Sequence, residues 1–437
     1  MLTDKASSLK VAIEKGSRFA NDNSLIIREI FKVLFYNDEP KLYSYGVCYK
    51  EKYNSGENED AIASASGISF HRRKALMRVL GETIERYSLG GDKNEKFIYN
   101  SFDELKTLNK LAVNPETLIA FSDRKFYALN LNKKNFHWAK GKSLISGNEI
   151  LIPAQLVYIP YLYQNSEPLI RFPISTGAAA GETLNDASYR GICEIIERDA
   201  FMIAYLNKTP SPKIDLQSIS DKTIRRIRNI LKRYKLELII IDLTNDLEVP
   251  VFASILLDKT GLGPAVSVGL KAGFDIKETM VGAIEESLMM RSWIRDKFIY
   301  TDPKYKRGKN IITIEDRAHF WFPVSSIKYL DFWLKNENFK KINVKNLRSS
   351  NNNLEKATLL LRERGIDAIY VDIIDKEIKK YNFKVVKVII PKLCPLYLDE
   401  GHPYLGVERL YNVPVKMRFF RNKKTENQLN KIPHPFL

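Results

Sequence analysis

The chain has 437 residues, 44% hydrophobic, 11% aromatic and 28% charged, enough apolar material for a large core and well outside disordered composition. No stretch reaches the roughly 18 consecutive apolar residues of a membrane helix, and the opening MLTDKASSLK lacks an apolar signal core, so the expected compartment is the cytoplasm. Lys and Arg number 69 against 52 Asp and Glu, a net charge of +17 that attracts acidic partners or polyanions.

In chain order, Ser24 to Phe35 sets Leu25, Ile26, Ile30, Val33 and Leu34 at helical spacing before the turn-rich NDEP, which predicts a helical lead-in arm over residues 1–45. From about Leu42 the strand-like stretches LYSYGVCY, LIPAQLVYI, LELIIID, VPVFASILL and VVKVII alternate with longer helical ones, without a Pro-, Gly- or Ser-rich linker. That alternation predicts one large mixed α/β (α+β) domain over residues 46–420. Beyond Phe420 the chain turns polar and closes with KIPHPFL, where Pro433 and Pro435 forbid a regular helix; residues 421–437 are expected to form an extended tail. The basic runs at 304–310 and 421–424 read as solvated surface rather than a nucleic-acid site.

Cys48, Cys193 and Cys394 give neither a disulfide framework nor a CxxC pair, and the five histidines lack metal-ligand spacing, so any metal must be held by carboxylates. One pattern recurs. GETIERY (81–87) and CEIIERDA (193–200) share E-x-I-E-R, as pseudo-symmetric halves would, and AIEESLMMR (283–291) adds a third acidic helix. At about 100° per residue, Glu194, Glu197 and Arg198 share one face of a helix that is otherwise almost wholly apolar, hence buried. Desolvated carboxylates that close together repel and require compensating cations. Glu82, Glu85 and Arg86 repeat the arrangement. If both helices face one cavity, oxygen-only ligands suit Mg2+, and Mg2+ held by carboxylates usually also takes nucleotide phosphates, with arginines on the phosphate oxygens. The alternative is two surface helices laced by ordinary pairs such as Glu82 with Arg86.

The segment PISTGAAAGET (173–183) offers only small side chains between Ser175 and Gly181, which allows backbone amides to approach an anion at the following helix N-terminus; tight helix-on-sheet packing is the competing reading. It is not a Walker A loop. The sole GKS, Gly141 to Ser143, has Phe136 where a glycine is required, and GLGPAV (261–266) does not complete GxGxxG.

Together these motifs resemble the YcaO family of ATP-dependent peptide-backbone-modifying enzymes. The matching stretches are SGISFHRRKALMRVLGETIERY (66–87), HWAKGKSLISGNEILIPAQLVYIPY (137–161), STGAAAGETLNDASYRGICEIIERDAF (175–201), VGLKAGFDIKETMVGAIEESLMMR (268–291) and VVKVIIPKLCPLYLDEGHPYLGVERLY (385–411). The resemblance implies that ATP and Mg2+ are the cofactors, with Glu82, Glu85, Glu194, Glu197 and Glu286 holding metal. It places Arg86, Arg198 and Arg291 on phosphates, and Ser66, Ser69, Arg78, Gly177 and Gly181 around the nucleotide. Met289 stands where the family's third motif usually has Gln.

The implied reaction activates a peptide amide. A nucleophile adds to the carbonyl, the oxyanion takes the γ-phosphoryl of ATP, and phosphate leaves; a Cys, Ser or Thr side chain then yields thiazoline or oxazoline, and external sulfide a thioamide. Phosphoryl transfer depends on charge neutralisation more than on a protein nucleophile, in keeping with the lack of a Ser/His/Asp or Cys/His constellation. Azoline-forming members end similarly in PxPxP. This chain keeps Pro433 and Pro435, with Leu437 last, so its terminal carboxylate is a candidate to order the site or accept a proton; a disordered exit tail is the alternative, and His434 reads as a lone exposed histidine rather than a base.

The resemblance further implies a ribosomal precursor peptide of bacteriocin type as substrate and a separate ThiF-like leader-binding partner, with a homodimer left open. A thioamide-forming or sulfur-transfer enzyme on the same scaffold, and a non-catalytic basic nucleic-acid-binding protein, remain as alternatives.

Overall fold

The computed structural model describes residues 14–22, 26–51, 62–91, 97–122, 130–164, 166–300, 311–344 and 352–437. Three sheets organise it. β1 (Ile27–Lys32), β2 (Tyr43–Lys50) and β3 (Ile62–Ser69) form an antiparallel three-stranded sheet. A six-stranded sheet runs β4 (Ile98–Ser101), β5 (Asn135–Ser143), β13 (Ile369–Asp372), β14 (Lys384–Ile389), β7 (Ala178–Gly181), with β6 (Glu149–Pro153) paired to β5. The third is a five-stranded sheet in the order β11 (Val266–Ala272), β10 (Val251–Asp258), β9 (Leu236–Asp242), β8 (Lys213–Ile214), β12 (Phe339–Lys340). The fold is mixed α+β, as the sequence predicts.

Three long helices join these sheets. Arg72–Leu89 packs on β3, Ile276–Tyr300 on β11 and β10, and Leu184–Asn207 lies between β14, β7 and β11. The last is buried on every side over its C-terminal three turns: all eleven residues from Glu197 to Asn207 are buried. With each large apolar side chain contributing about 1.5–3 kcal/mol, this helix is the centre of the main core, packed with Val266, Val268, Val386 and Val388 from two sheets. Glycines set the closest approaches. A Cβ on Gly67 of β3 would stand 2.4 Å from Val79 N, and one on Gly269 of β11 would stand 2.2 Å from Ala283 O, so both helices sit closer to their strands than any other residue permits.

The lead-in differs from expectation. Residues 14–22 are helical, whereas the described part of Ser24 to Phe35 contains strand β1, whose Phe31 pairs with Gly46 and fits its ring where a Cβ on Gly46 would be, 2.4 Å away. Sheet pairing with β2 overrides the helical spacing of Ile26, Ile30 and Val33. The basic run at 304–310 lies outside the described residues. Among the described residues no helix is long and apolar enough to cross a membrane.

Candidate nucleotide and metal site

The strand–helix junctions open onto one cavity of about 750 Å3, lined by residues from all three long helices and from β3, β7 and β11. Glu82, Glu85, Glu194, Glu197 and Glu286 all reach it. Each is tethered by one carboxylate oxygen to a backbone N–H: Glu82 accepts from Ser66 (3.1 Å), Glu85 from Ala180 (2.8 Å), Glu194 from Gly177 (2.9 Å), Glu197 from Ala272 (3.0 Å) and Glu286 from Leu270 (2.5 Å). The tether orients the carboxylate and leaves its second oxygen for other partners. Ser66 with Glu82 and Leu270 with Glu286 are both 16 residues apart. The β3–helix and β11–helix units therefore repeat one construction, while the helix bearing Glu194 and Glu197 lies between them.

Guanidinium groups occupy part of the remaining capacity. Arg86 meets Glu82 at 2.6 Å, and Arg198 meets Glu194 at 3.5 Å and also Glu197. The carboxylates remain under electrostatic stress. Burial pushes Glu85 up to about 8, opposed by the Ala180 N–H and reinforced by repulsion from Glu194 and Glu82. Burial, then repulsion from Glu197, raises Glu286 to about 7, and burial also raises Glu82. Anions made costly in this way favour a divalent cation. Five carboxylates with no thiolate or imidazole match Mg2+, and the cavity volume lies in the range of ligand sites.

They do not form one closed ligand shell. Among the described residues no group of three or more His, Cys, Asp or Glu side chains is arranged to hold a metal ion. The physical reason is visible in their partners: every one spends an oxygen on a backbone N–H, and Glu82, Glu194 and Glu197 also engage arginines. Glu85 is repelled by Glu194 and Glu82, and Glu286 by Glu197, while Glu194 and Glu197 share Arg198.

Other expected residues divide. Ser66, Arg78, Gly181 and Leu437 line the cavity. Gly177 acts through its N–H on Glu194 and has φ +89°, with its would-be Cβ 2.3 Å from Val388 O. The small-residue segment is not an open loop, because Ala178–Gly181 forms edge strand β7 beside β14. Ser69 is fully buried and bonds Glu285 at 2.6 Å instead of facing the cavity. Arg291 likewise does not line the cavity. It is buried, its guanidinium pairing Glu39 and Asp258 at 2.7 Å each and donating to Pro264 O at 3.0 Å, so three acceptors outside the cavity hold it.

Sequence reasoning missed Lys74, Arg190 and Lys271, which add positive charge to the wall, and Glu285, which holds Arg78 at 2.7 Å. Their spacing matches no motif; proximity came from the fold. Met289 also lines the cavity, its sulfur 3.6 Å from Ser66 Oγ.

The tail is docked. Tyr205 donates to Pro433 O at 3.0 Å and Arg317 to His434 O at 2.8 Å. His434 is buried rather than exposed; burial and then Arg317 hold its imidazole well below the ordinary value, and Nε2 donates to Tyr397 O at 2.7 Å. The result is that Phe436 and Leu437 line the cavity, with the Arg198 guanidinium 4.1 Å above the Phe436 ring centroid.

The profile of one protein family, described as YcaO cyclodehydratase, ATP- and Mg2+-binding, matches residues 66–394. The chain belongs to the YcaO family. A protein of Methanothermobacter thermautotrophicus described as uncharacterized is 23% identical over 347 residues, covering 78% of this chain and 84% of its own length. A heterocyclase solved in complex with substrate and cofactor superimposes with a TM-score of 0.77 at 22% identity, over 97% of this chain but only 57% of its own. The YcaO protein of Methanopyrus kandleri bound with AMPPCP and Mg2+ gives a TM-score of 0.63 at 17% identity, covering 87% and 91%. This YcaO chain therefore shares the heterocyclase fold while spanning little more than half the length of the first of those structures.

Proposed function

We propose that this YcaO chain is an ATP- and Mg2+-dependent cyclodehydratase that forms thiazoline or oxazoline rings from Cys, Ser or Thr in a ribosomally made precursor peptide of bacteriocin type. The observation that carries the reading is the docked tail: Phe436 and Leu437 enter the cavity that five tethered glutamates share, with Phe436 against Arg198. A peptide-modifying site needs a wall for the peptide beside the phosphate end of the nucleotide, and the tail supplies one.

When bound, Mg2+ and ATP supply the γ-phosphoryl group and screen its charge. Glu82, Glu85, Glu194, Glu197 and Glu286 would supply the carboxylate oxygens that hold the metal. Arg86 and Arg198 contact phosphate oxygens, supported by Lys74, Arg78, Arg190 and Lys271 on the wall. The side-chain nucleophile of the peptide would lose its S–H or O–H proton as it adds to the preceding carbonyl, and the carbonyl oxygen would take the γ-phosphoryl as ADP leaves. Loss of phosphate and of the amide proton closes the C=N bond, so the peptide loses one water overall. A ThiF-like partner that presents the leader peptide completes the system.

Mass spectrometry of a candidate precursor incubated with the chain, ATP, Mg2+ and that partner tests the reading. Loss of water with release of ADP supports it. Exchange of oxygen for sulfur assigns the scaffold to thioamide formation, and no ATP-dependent mass change refutes both.

A further inference from the structure

The helix Lys222–Arg233 (KTIRRIRNILKR) carries six cations and no acid in twelve residues. Ile224, Ile227 and Leu231 are buried, and the opposite stripe, Lys222, Arg225, Arg226, Asn229 and Arg233, lines a surface depression of about 520 Å3. Asp221, directly before it, does not neutralise the stripe. It caps the helix by accepting from Thr223 N (2.9 Å) and Ile224 N (3.1 Å), and its other oxygen pairs with Lys277 at 2.8 Å. Among the described residues no ion pair to a carboxylate is formed by Lys222, Arg225, Arg226 or Arg233, whereas Lys340 on the adjoining sheet and Lys259 just past the end of β10 each have one. Like charges at i, i+3 and i, i+4 destabilise a helix, and Lys222 and Arg225 lie at the N-terminal end, where the helix dipole opposes cations. Solubility alone does not explain charge placed where it costs stability.

The stripe is connected to the cavity. Ile224, Ile227 and Leu231 share one core cluster with Met280, Ile284 and Leu288 of the helix Ile276–Tyr300, and with Ile68 of β3. Lys277 of that helix holds Asp221, and its neighbour Glu278 pairs at 2.9 Å with Lys74, which lines the cavity. Two ion pairs thus lead from the start of the basic helix to the cavity wall.

We infer that the outer stripe of Lys222–Arg233 docks an acidic segment of the peptide substrate, whose reacting part lies in the cavity beyond Lys74. The inference rests on the peptide-modifying reading of that cavity. At about 1.5 Å per residue the stripe is about 17 Å long, room for about five residues of extended peptide. The fork of each arginine suits a carboxylate. No aromatic side chain lies in the depression to stack a nucleobase, which favours a peptide over nucleic acid.

The test measures fluorescence anisotropy with the full chain and three probes: a labelled Glu/Asp-rich peptide, its Gln/Asn counterpart, and a single-stranded RNA of equal charge. Arg225→Glu/Arg226→Glu/Arg233→Glu should weaken the acidic peptide by roughly 30-fold, with the Gln counterpart binding poorly throughout and affinity falling with salt. The milder triple Arg→Gln should give an intermediate loss. Circular dichroism and binding of an ATP analogue with Mg2+ should match the parent, which separates docking from folding and from the nucleotide site. Unchanged affinity for the acidic peptide in both triple variants overturns the inference, as does tighter binding of the RNA than of the peptide. If the stripe binds the acidic peptide while no precursor is modified, the cyclodehydratase reading falls and the docking surface stands. If ring formation proceeds but both variants bind and turn over precursor normally, the reverse holds.

Discussion

Glu85→Gln should stabilise this protein in the absence of nucleotide while removing its ability to bind Mg2+ with ATP. Burial raises Glu85 from the ordinary carboxyl value of 4.5 to about 8. The folded state therefore holds this proton more tightly than the unfolded chain does. Stability is fully present below the unfolded value and is lost as pH climbs from 4.5 toward 8. At about 1.36 kcal/mol per pH unit, that interval sets a ceiling of about 5 kcal/mol, of which about 4 kcal/mol is already lost at pH 7.5. Glutamine cannot ionise and still accepts from Ala180 N–H, which now meets Glu85 Oε1 at 2.8 Å. Urea denaturation of the nucleotide-free chain at pH 5 and pH 8 measures this. The parent should be the less stable protein at pH 8 by about 2–4 kcal/mol and nearly equal at pH 5, because Glu82 and Glu286 contribute their own slopes to both. Adding ATP and Mg2+ at pH 8 should stabilise the parent and leave the variant unmoved. A variant that is less stable than the parent at pH 8, or that keeps the parent's response to nucleotide, would refute the assignment of Glu85 as an electrostatically strained metal ligand.

Glu197→Gln should abolish peptide-dependent ADP release with circular dichroism unchanged; undiminished turnover removes Glu197 from the site. Phe436→Ala, which empties a buried ring position against Arg198, should cost about 3 kcal/mol in urea and lower ring formation at least tenfold, and deletion of Pro433 to Leu437 should do the same or more; full ring formation in either shows the tail to be mere packing. Arg291→Met should lose about 3 kcal/mol of stability, because Asp258 is left buried without its cation and Glu39 keeps only Arg295, while the dissociation constant for an ATP analogue stays within threefold; a large loss of nucleotide affinity in folded protein would return Arg291 to the phosphates.

Legibility in the sequence followed the range of the interaction involved. The helix around Glu194 and Glu197 is recognisable because apolar residues cover every face of it, a pattern that only burial between layers produces. Strands β2, β9, β10 and β14 were all visible as short apolar runs. β1 was not, because Ile26, Ile30 and Val33 satisfy helical spacing and only the partner strand β2, with Gly46 leaving room for Phe31, selects the extended form. Arg291 and Ser69 sit in motif-like stretches, yet their partners Glu39, Asp258 and Glu285 lie 252, 33 and 216 residues away. No local pattern reports which carboxylate a buried arginine will meet. The basic stripe of Lys222–Arg233 escaped notice for a related reason: its cations are interleaved with core isoleucines and become a continuous surface only once the helix is wound.

Sequence alone determined the inventory at this site: carboxylates without thiolate or imidazole, arginines at helical spacing from them, and small residues where a strand must slip beside a helix. Those follow from side-chain chemistry and from periodicities of a few residues. The tertiary structure decided the convergence of the five glutamates on one cavity, the docking of His434 and Phe436 into the interior, and the placement of Arg291 in a separate ion cluster. Each of those outcomes depends on which groups lose water together, and desolvation is a property of the packed whole that no segment carries by itself.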